Sequence, residues 1–135
     1  MIESVQEFVD LVECGDEASQ LRLRSDTAPV NVWENVLLQY PDLKRAVTLN
    51  KTLDERVIRL LAQDDDPLVR ADIANRRGLP RDLFELLARD SNESVRERIA
   101  YNKKTPETVL RFLLADQSEI VLEPVKKRLG VWHEQ

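Results

Sequence analysis

The sequence predicts an all-α fold, a solenoid of short helix pairs, and two observations carry that prediction. The first is an internal repeat of 26 residues. Val69-Arg70, Ile73-Ala74, Leu79-Pro80, Leu83, Leu86-Leu87 and Asp90 return as Val95-Arg96, Ile99-Ala100, Thr105-Pro106, Val109, Phe112-Leu113 and Asp116. One period earlier they stand as Leu43-Lys44, Val47, Leu53-Asp54, Val57, Leu60-Leu61 and Asp64. Self-similarity at a fixed period marks a fold built by stacking one supersecondary unit. The second observation is the apolar spacing inside a unit, which is helical and nowhere alternates strictly with period two, so no strand is expected.

The elements follow in order along one domain, residues 1–135. Residues 1–16 carry Ile2, Val5, Phe8, Val9 and Val12 at three- and four-residue steps, an amphipathic helix suited to capping a stack. Residues 17–42 form a degenerate unit. Its second half, Pro29, Val32, Trp33, Val36 and Leu37, imitates Pro106, Val109, Leu110, Leu113 and Leu114, which places Trp33 in the core, whereas residues 18–24 match poorly.

Full units occupy 43–68, 69–94 and 95–120. In each, a first helix is marked by pairs four apart (Val69 and Ile73, Val95 and Ile99), and a second by an i, i+3, i+4 set such as Leu83, Leu86 and Leu87. The columns Leu43, Val69, Val95, Val121 and Val47, Ile73, Ile99, Val125 are expected to face the interior, as are Leu60, Leu86, Phe112 and Leu61, Leu87, Leu113.

Pro80 and Pro106 suit a first helical turn, Thr105 an N-cap, and Asn50, Gly78 and Asn102 a left-handed helix end. Residues 121–135 make a partial unit and tail. Ser118 opens the last helix, Pro124 is expected to kink or break it, and Trp132 and His133 are expected to fold over the open end.

The string Val95-Arg96, Ile99-Ala100, Asn102, Thr105-Pro106-Glu107, Val109-Leu110, Leu113 and Asp116 resembles the leucine-rich repeat variant, a short relative of HEAT and armadillo units. That resemblance implies a right-handed superhelix. Some members of the family carry an iron–sulfur centre on an N-terminal cysteine cluster. Here Cys14 is the one cysteine, so that cofactor is not carried over and none is expected.

Composition narrows the function. Three isolated glycines exclude a phosphate loop, and one histidine, His133, leaves little material for acid–base or metal chemistry. No apolar run is long enough for a membrane span and Met1 begins no signal peptide, so a cytoplasmic, membrane-free protein is expected. No catalytic residue, metal site or small-molecule substrate is inferred. The run Asp64-Asp65-Asp66 before Pro67 reads as a helix-starting loop rather than a divalent-metal site, which needs convergent carboxylates.

The charged residues, 33% of the chain, sort into columns. Lys44, Arg70 and Arg96 form a base column, and Asp64, Asp90 and Asp116 an acid column. The acid is expected to cap the following helix, and the base to bond a neighbouring acid or carbonyl; HEAT-like ladders between units, through the resemblance, imply the same. A second basic set lies in the turn between the helices of each unit: Lys51, Arg76-Arg77 and Lys103-Lys104, with Lys126, Lys127 and Arg128 as a candidate extension. Stacking would align it as a ridge, with Asp42, Asp64 to Asp66, Asp90 and Asp116 on the opposite edge.

The ridge reads either as solvated turns or as a binding surface. Residues 1–42 hold nine acids and two bases, against sixteen acids and eighteen bases in the remainder, for an overall net charge of −5. The leading expectation is a non-catalytic scaffold that binds another protein. The alternative is nucleic acid held by the ridge, opposed by the net charge and the scarcity of aromatics. An enzyme ranks last.

Overall fold

The computed structural model describes residues 1–131, and those residues are all-helical, with ten α-helices, one 3₁₀ turn and no strand. Trp132 and His133 lie outside the described residues. The chain divides into two compact units, Met1–Leu61 and Ala62–Gln135.

The first unit holds α1 (Val5–Cys14), α2 (Glu17–Ser25), α3 (Val30–Gln39), a 3₁₀ turn (Pro41–Leu43), α4 (Lys44–Thr48) and α5 (Glu55–Leu61). The Ser4 hydroxyl accepts the Glu7 amide, and the Glu7 carboxylate accepts the Glu3 amide, so the orphan donors at the start of α1 find partners. Gly15, at φ 67°, closes α1 by a bond from its N–H to the Leu11 carbonyl, a left-handed cap that favours glycine. The core gathers Ile2, Phe8, Trp33, Val36, Val47 and Val57, each fully buried or nearly so. Phe8 and Trp33 meet edge to face, 5.7 Å apart at 83°. Only Ser19 of α2 is buried. Polar ties hold that helix instead, which explains why residues 18–24 lack the apolar pattern of the other units.

The second unit holds α6 (Pro67–Ala74), α7 (Arg81–Ala88), α8 (Glu93–Tyr101), α9 (Glu107–Leu113) and α10 (Glu119–Leu129). Helix α8 packs against both α6 and α10, while α7 packs against α8 and α9. Val69, Ile73, Val95, Ile99, Val121 and Val125 are all buried between the first helices, as the apolar columns require.

Several local expectations are corrected. Leu60, Leu86 and Phe112 are not interior but 57%, 43% and 44% exposed. The buried stripe of α7 is Leu83, Phe84, Leu87 and Ala88, an i, i+1, i+4, i+5 set. At about 100° per residue, Leu86 lies roughly 130° from its middle. Phe112 stands in the same relation to Val109, Leu110 and Leu113.

Asn50, Asn102 and Gly78 do not adopt left-handed backbone; among the described residues only Gly15 and Gly130 do. The asparagines are buried for their side-chain amides, as described below. Thr105 is not an N-cap: Pro106 holds that place in α9, and the Thr105 hydroxyl donates to the Ile99 carbonyl at 2.6 Å. Pro80 likewise stands one step outside α7, at its N-cap.

Helix α10 runs unbroken through Pro124. The hydrogen bond that proline forgoes belongs to the Ile120 carbonyl, and Ile120 is exposed to water that can replace it. The buried pyrrolidine ring packs in the core in exchange.

Candidate functional site

The repeated charges of the second unit form a ladder. Arg70 grips Asp90 with two donors, Nε to Oδ2 at 2.8 Å and Nη2 to Oδ1 at 3.0 Å, and sends Nη1 to the Asp64 carbonyl at 2.7 Å. Arg96 does the same with Asp116, at 2.7 and 3.2 Å, and with the Asp90 carbonyl at 2.7 Å. These are bidentate, charge-assisted bonds, the strong kind. The carboxylates are nearly dry, Asp90 and Asp116 retaining 8% and 7% side-chain exposure.

Hydrogen bonds to the carboxylates hold both guanidiniums above their ordinary pKa. Burial pushes the Asp116 carboxyl up, but the bonds from Arg96 and from the Ser118 amide outweigh it, and the net direction is downward. Each acid also accepts a backbone amide two residues on: Asp64 from Asp66, Asp90 from Asn92, Asp116 from Ser118. The acid therefore shapes the loop entering the next helix, and Asp66 and Asn92 cap the helix itself. Lys44, in the first unit, and Asp64 are half-buried, and both have partners. In the triple-Asp run the carboxylates of Asp64 and Asp66 are turned onto backbone amides. Among the described residues no three His, Cys, Asp or Glu side chains converge as metal ligands.

The inter-helix turns separate into two columns with different work. Asn102 is buried, and its amide donates to the Ala74 and Arg76 carbonyls, both at 2.8 Å, while its Oδ1 accepts the Lys104 amide. Arg128, one period on, sends Nη1 to the Ala100 and Asn102 carbonyls at 3.0 and 2.6 Å and Nη2 to Lys103 at 3.3 Å. In the first unit Asn50 reaches the Leu23 and Asp26 carbonyls at 2.7 and 2.8 Å. Each side chain thus satisfies carbonyls that a helix end leaves open.

The sequence pattern missed this column, because Asn50, Asn102 and Arg128 share a donor and not a residue type. Arg76, placed on the exposed ridge by its sequence, is half-buried, and burial lowers its guanidinium from the ordinary pKa.

Arg77, Lys103 and Lys104 are exposed, as is Lys51 in the first unit. Among the described residues none of Arg77, Lys103, Lys104 and Lys127 forms an ion pair. The acids of the opposite set are a different case, since Asp90 and Asp116 are consumed by the ladder.

Two surface features of the second unit were not anticipated. Leu86 and Phe112 lie exposed on the neighbouring helices α7 and α9, and the Arg89 guanidinium sits over the Phe112 ring at 4.4 Å. Open cavities of about 410 and 210 Å³ share Ala88, Arg89 and Phe112 in their lining. A third cleft of about 300 Å³ is lined by Asn75, Glu97, Arg98 and Tyr101, with Tyr101 57% exposed. Among the described residues no helix is long and apolar enough to cross a membrane. Comparison with protein-family models, curated proteins and solved structures finds no match to this chain.

Proposed function

We propose that the chain is a non-catalytic helical-repeat scaffold, a right-handed α-solenoid of about 26-residue units of the leucine-rich repeat variant kind, that binds another protein in the cytoplasm. The observation that carries the reading is the exposed pair Leu86 and Phe112 on packed helices, beside Arg89 and two open cavities. Apolar side chains that return at one position of successive units, outside the core, need a partner surface to leave water. The ladder beneath them takes up the local polar groups, so the strip is presented on a firm base.

The test is capture of a stoichiometric partner from the source cell by the tagged chain, repeated with Leu86→Asp/Phe112→Asp. Loss of the partner with the helical spectrum unchanged supports the scaffold. Equal recovery by both proteins rejects this surface.

The second reading is nucleic acid held through Arg77, Lys103 and Lys104, favoured by the absence of an ion pair at these residues among the described residues. A salt-sensitive mobility shift of single-stranded or duplex DNA, abolished by reversing these charges, would establish it.

A further inference from the structure

We infer that the basic edge of the second unit docks an acidic, extended segment of a protein partner, an inference that rests on the protein-binding reading above. The starting point is which cations have structural work. Arg70 and Arg96 hold the ladder, Arg81 pairs with Glu85 one turn on and Arg111 with Glu107 one turn back, Arg89 lies over Phe112, and Arg128 serves three carbonyls. Arg77, Lys103, Lys104 and Lys127 have no such duty, yet the donor column gathers them. The Asn102 amide fixes the Arg76-Arg77 turn beside the Lys103-Lys104 turn, and Arg128 fixes the last turn of α10, with Lys127, beside Lys103.

Four long cations held along one edge without counter-charges raise the local potential, whatever the net charge of the chain. Three layers of helix ends 8–10 Å apart span about 20 Å, the reach of roughly six extended residues. Alternate side chains of a strand point the same way, so carboxylates at every second position face the edge. The adjoining cleft at Tyr101 has room for one apolar or aromatic side chain of that segment, with Tyr101 as its platform.

A nucleic acid fits this edge less well. Tyr101 is the one exposed aromatic beside the edge among the described residues, where a strand needs several rings for successive bases. The −5 net charge opposes a long polyanion but not a short acidic segment.

The experiment uses the full chain and fluorescence anisotropy at about 0.15 M salt. The probes are a labelled peptide of about eight residues with alternating Glu and one Phe, its Phe→Ala version, a half-length version, and an oligothymidylate of equal charge. The full peptide is expected to bind at least about tenfold more tightly than the other three. Arg77→Glu/Lys103→Glu/Lys104→Glu is expected to remove its binding, and Tyr101→Ala to erase the advantage of the Phe peptide. Lys103→Gln/Lys104→Gln, a milder change for which folding is checked by helical spectrum, is expected to weaken it about tenfold.

Peptide affinity unchanged by these variants, no measurable peptide binding, or tighter oligothymidylate binding through the same residues overturns the inference. Failure here with partner capture still lost in Leu86→Asp/Phe112→Asp leaves the scaffold reading standing. Failure of capture at the apolar strip, with the peptide results obtained, sinks the strip alone.

Discussion

The two units join their helices by different means. In the second, the same three roles return at a fixed interval: Arg70 and Arg96 grip Asp90 and Asp116, and Asn102 and Arg128 reach back to carbonyls of the preceding turn. In the first, ties around α2 occur once. Arg22 donates to Asp26 at 2.7 Å and to Glu7 at 3.0 Å, and the Met1 amine lies 3.5 Å from Asp26. The repeated ties are sheltered and the single ones are wet, with Arg22 at 39% side-chain exposure against 16% and 18% for Arg70 and Arg96. Sheltered bidentate pairs are expensive to break, while exposed ones exchange with water. The first unit has one large aromatic contact, Phe8 on Trp33, with no counterpart among the described residues of the second.

That contrast sets an order of effects. Trp33→Ala removes the largest fully buried side chain and is expected to destabilise by about 4 kcal/mol. Arg96→Ala strands the Asp116 carboxylate in a nearly dry site and is expected to lose about 3 kcal/mol. Asn102→Ala leaves the Ala74 and Arg76 carbonyls without its amide, an expected loss of about 2 kcal/mol. Urea unfolding of each variant reads these values. If Arg22→Ala shifts the urea midpoint as far as Arg96→Ala, the distinction between wet and sheltered ties is wrong.

A smaller effect is pH. The Asp116 carboxyl titrates lower in the folded chain than in the unfolded one. Its contribution is therefore complete above the unfolded value, about 3.9, and is lost as pH falls through the lower folded value. The urea midpoint should drop on acidification below about pH 4, and Asp116→Asn should flatten that part of the profile. Lys103→Ala, on the basic edge, should change stability by less than about 0.5 kcal/mol, because the side chain has no structural partner.

Much of the second unit was legible because its chemistry repeats in kind. Arg70 and Arg96, with Asp90 and Asp116, announce a ladder by spacing alone. The helix pairs follow from apolar spacing, but the face of the second helix does not. Phe84 and Leu86 are both apolar neighbours of Leu83 and Leu87, and two overlapping helical stripes fit the same letters. Packing against α8 and α9 selects Phe84, and no periodicity count contains that contact. Asn102 and Arg128 were illegible for the opposite reason, since hydrogen-bond donors of different shape fill one structural role. The ties of α2 depend on residues as distant as Glu7 and Arg22, and only folding brings such unique pairs together.

The donor column has a direction. Asn50 reaches back to Leu23 and Asp26, Asn102 to Ala74 and Arg76, and Arg128 to Ala100, Asn102 and Lys103. Every one of these bonds runs from a later residue to an earlier one. During synthesis, each turn therefore emerges from the ribosome with open acceptors and is closed by the segment made some two dozen residues afterwards. A chain cut short at its C-terminal side leaves bare carbonyls, and one trimmed at its N-terminal side leaves idle donors. The two sides of each such turn are chemically inequivalent.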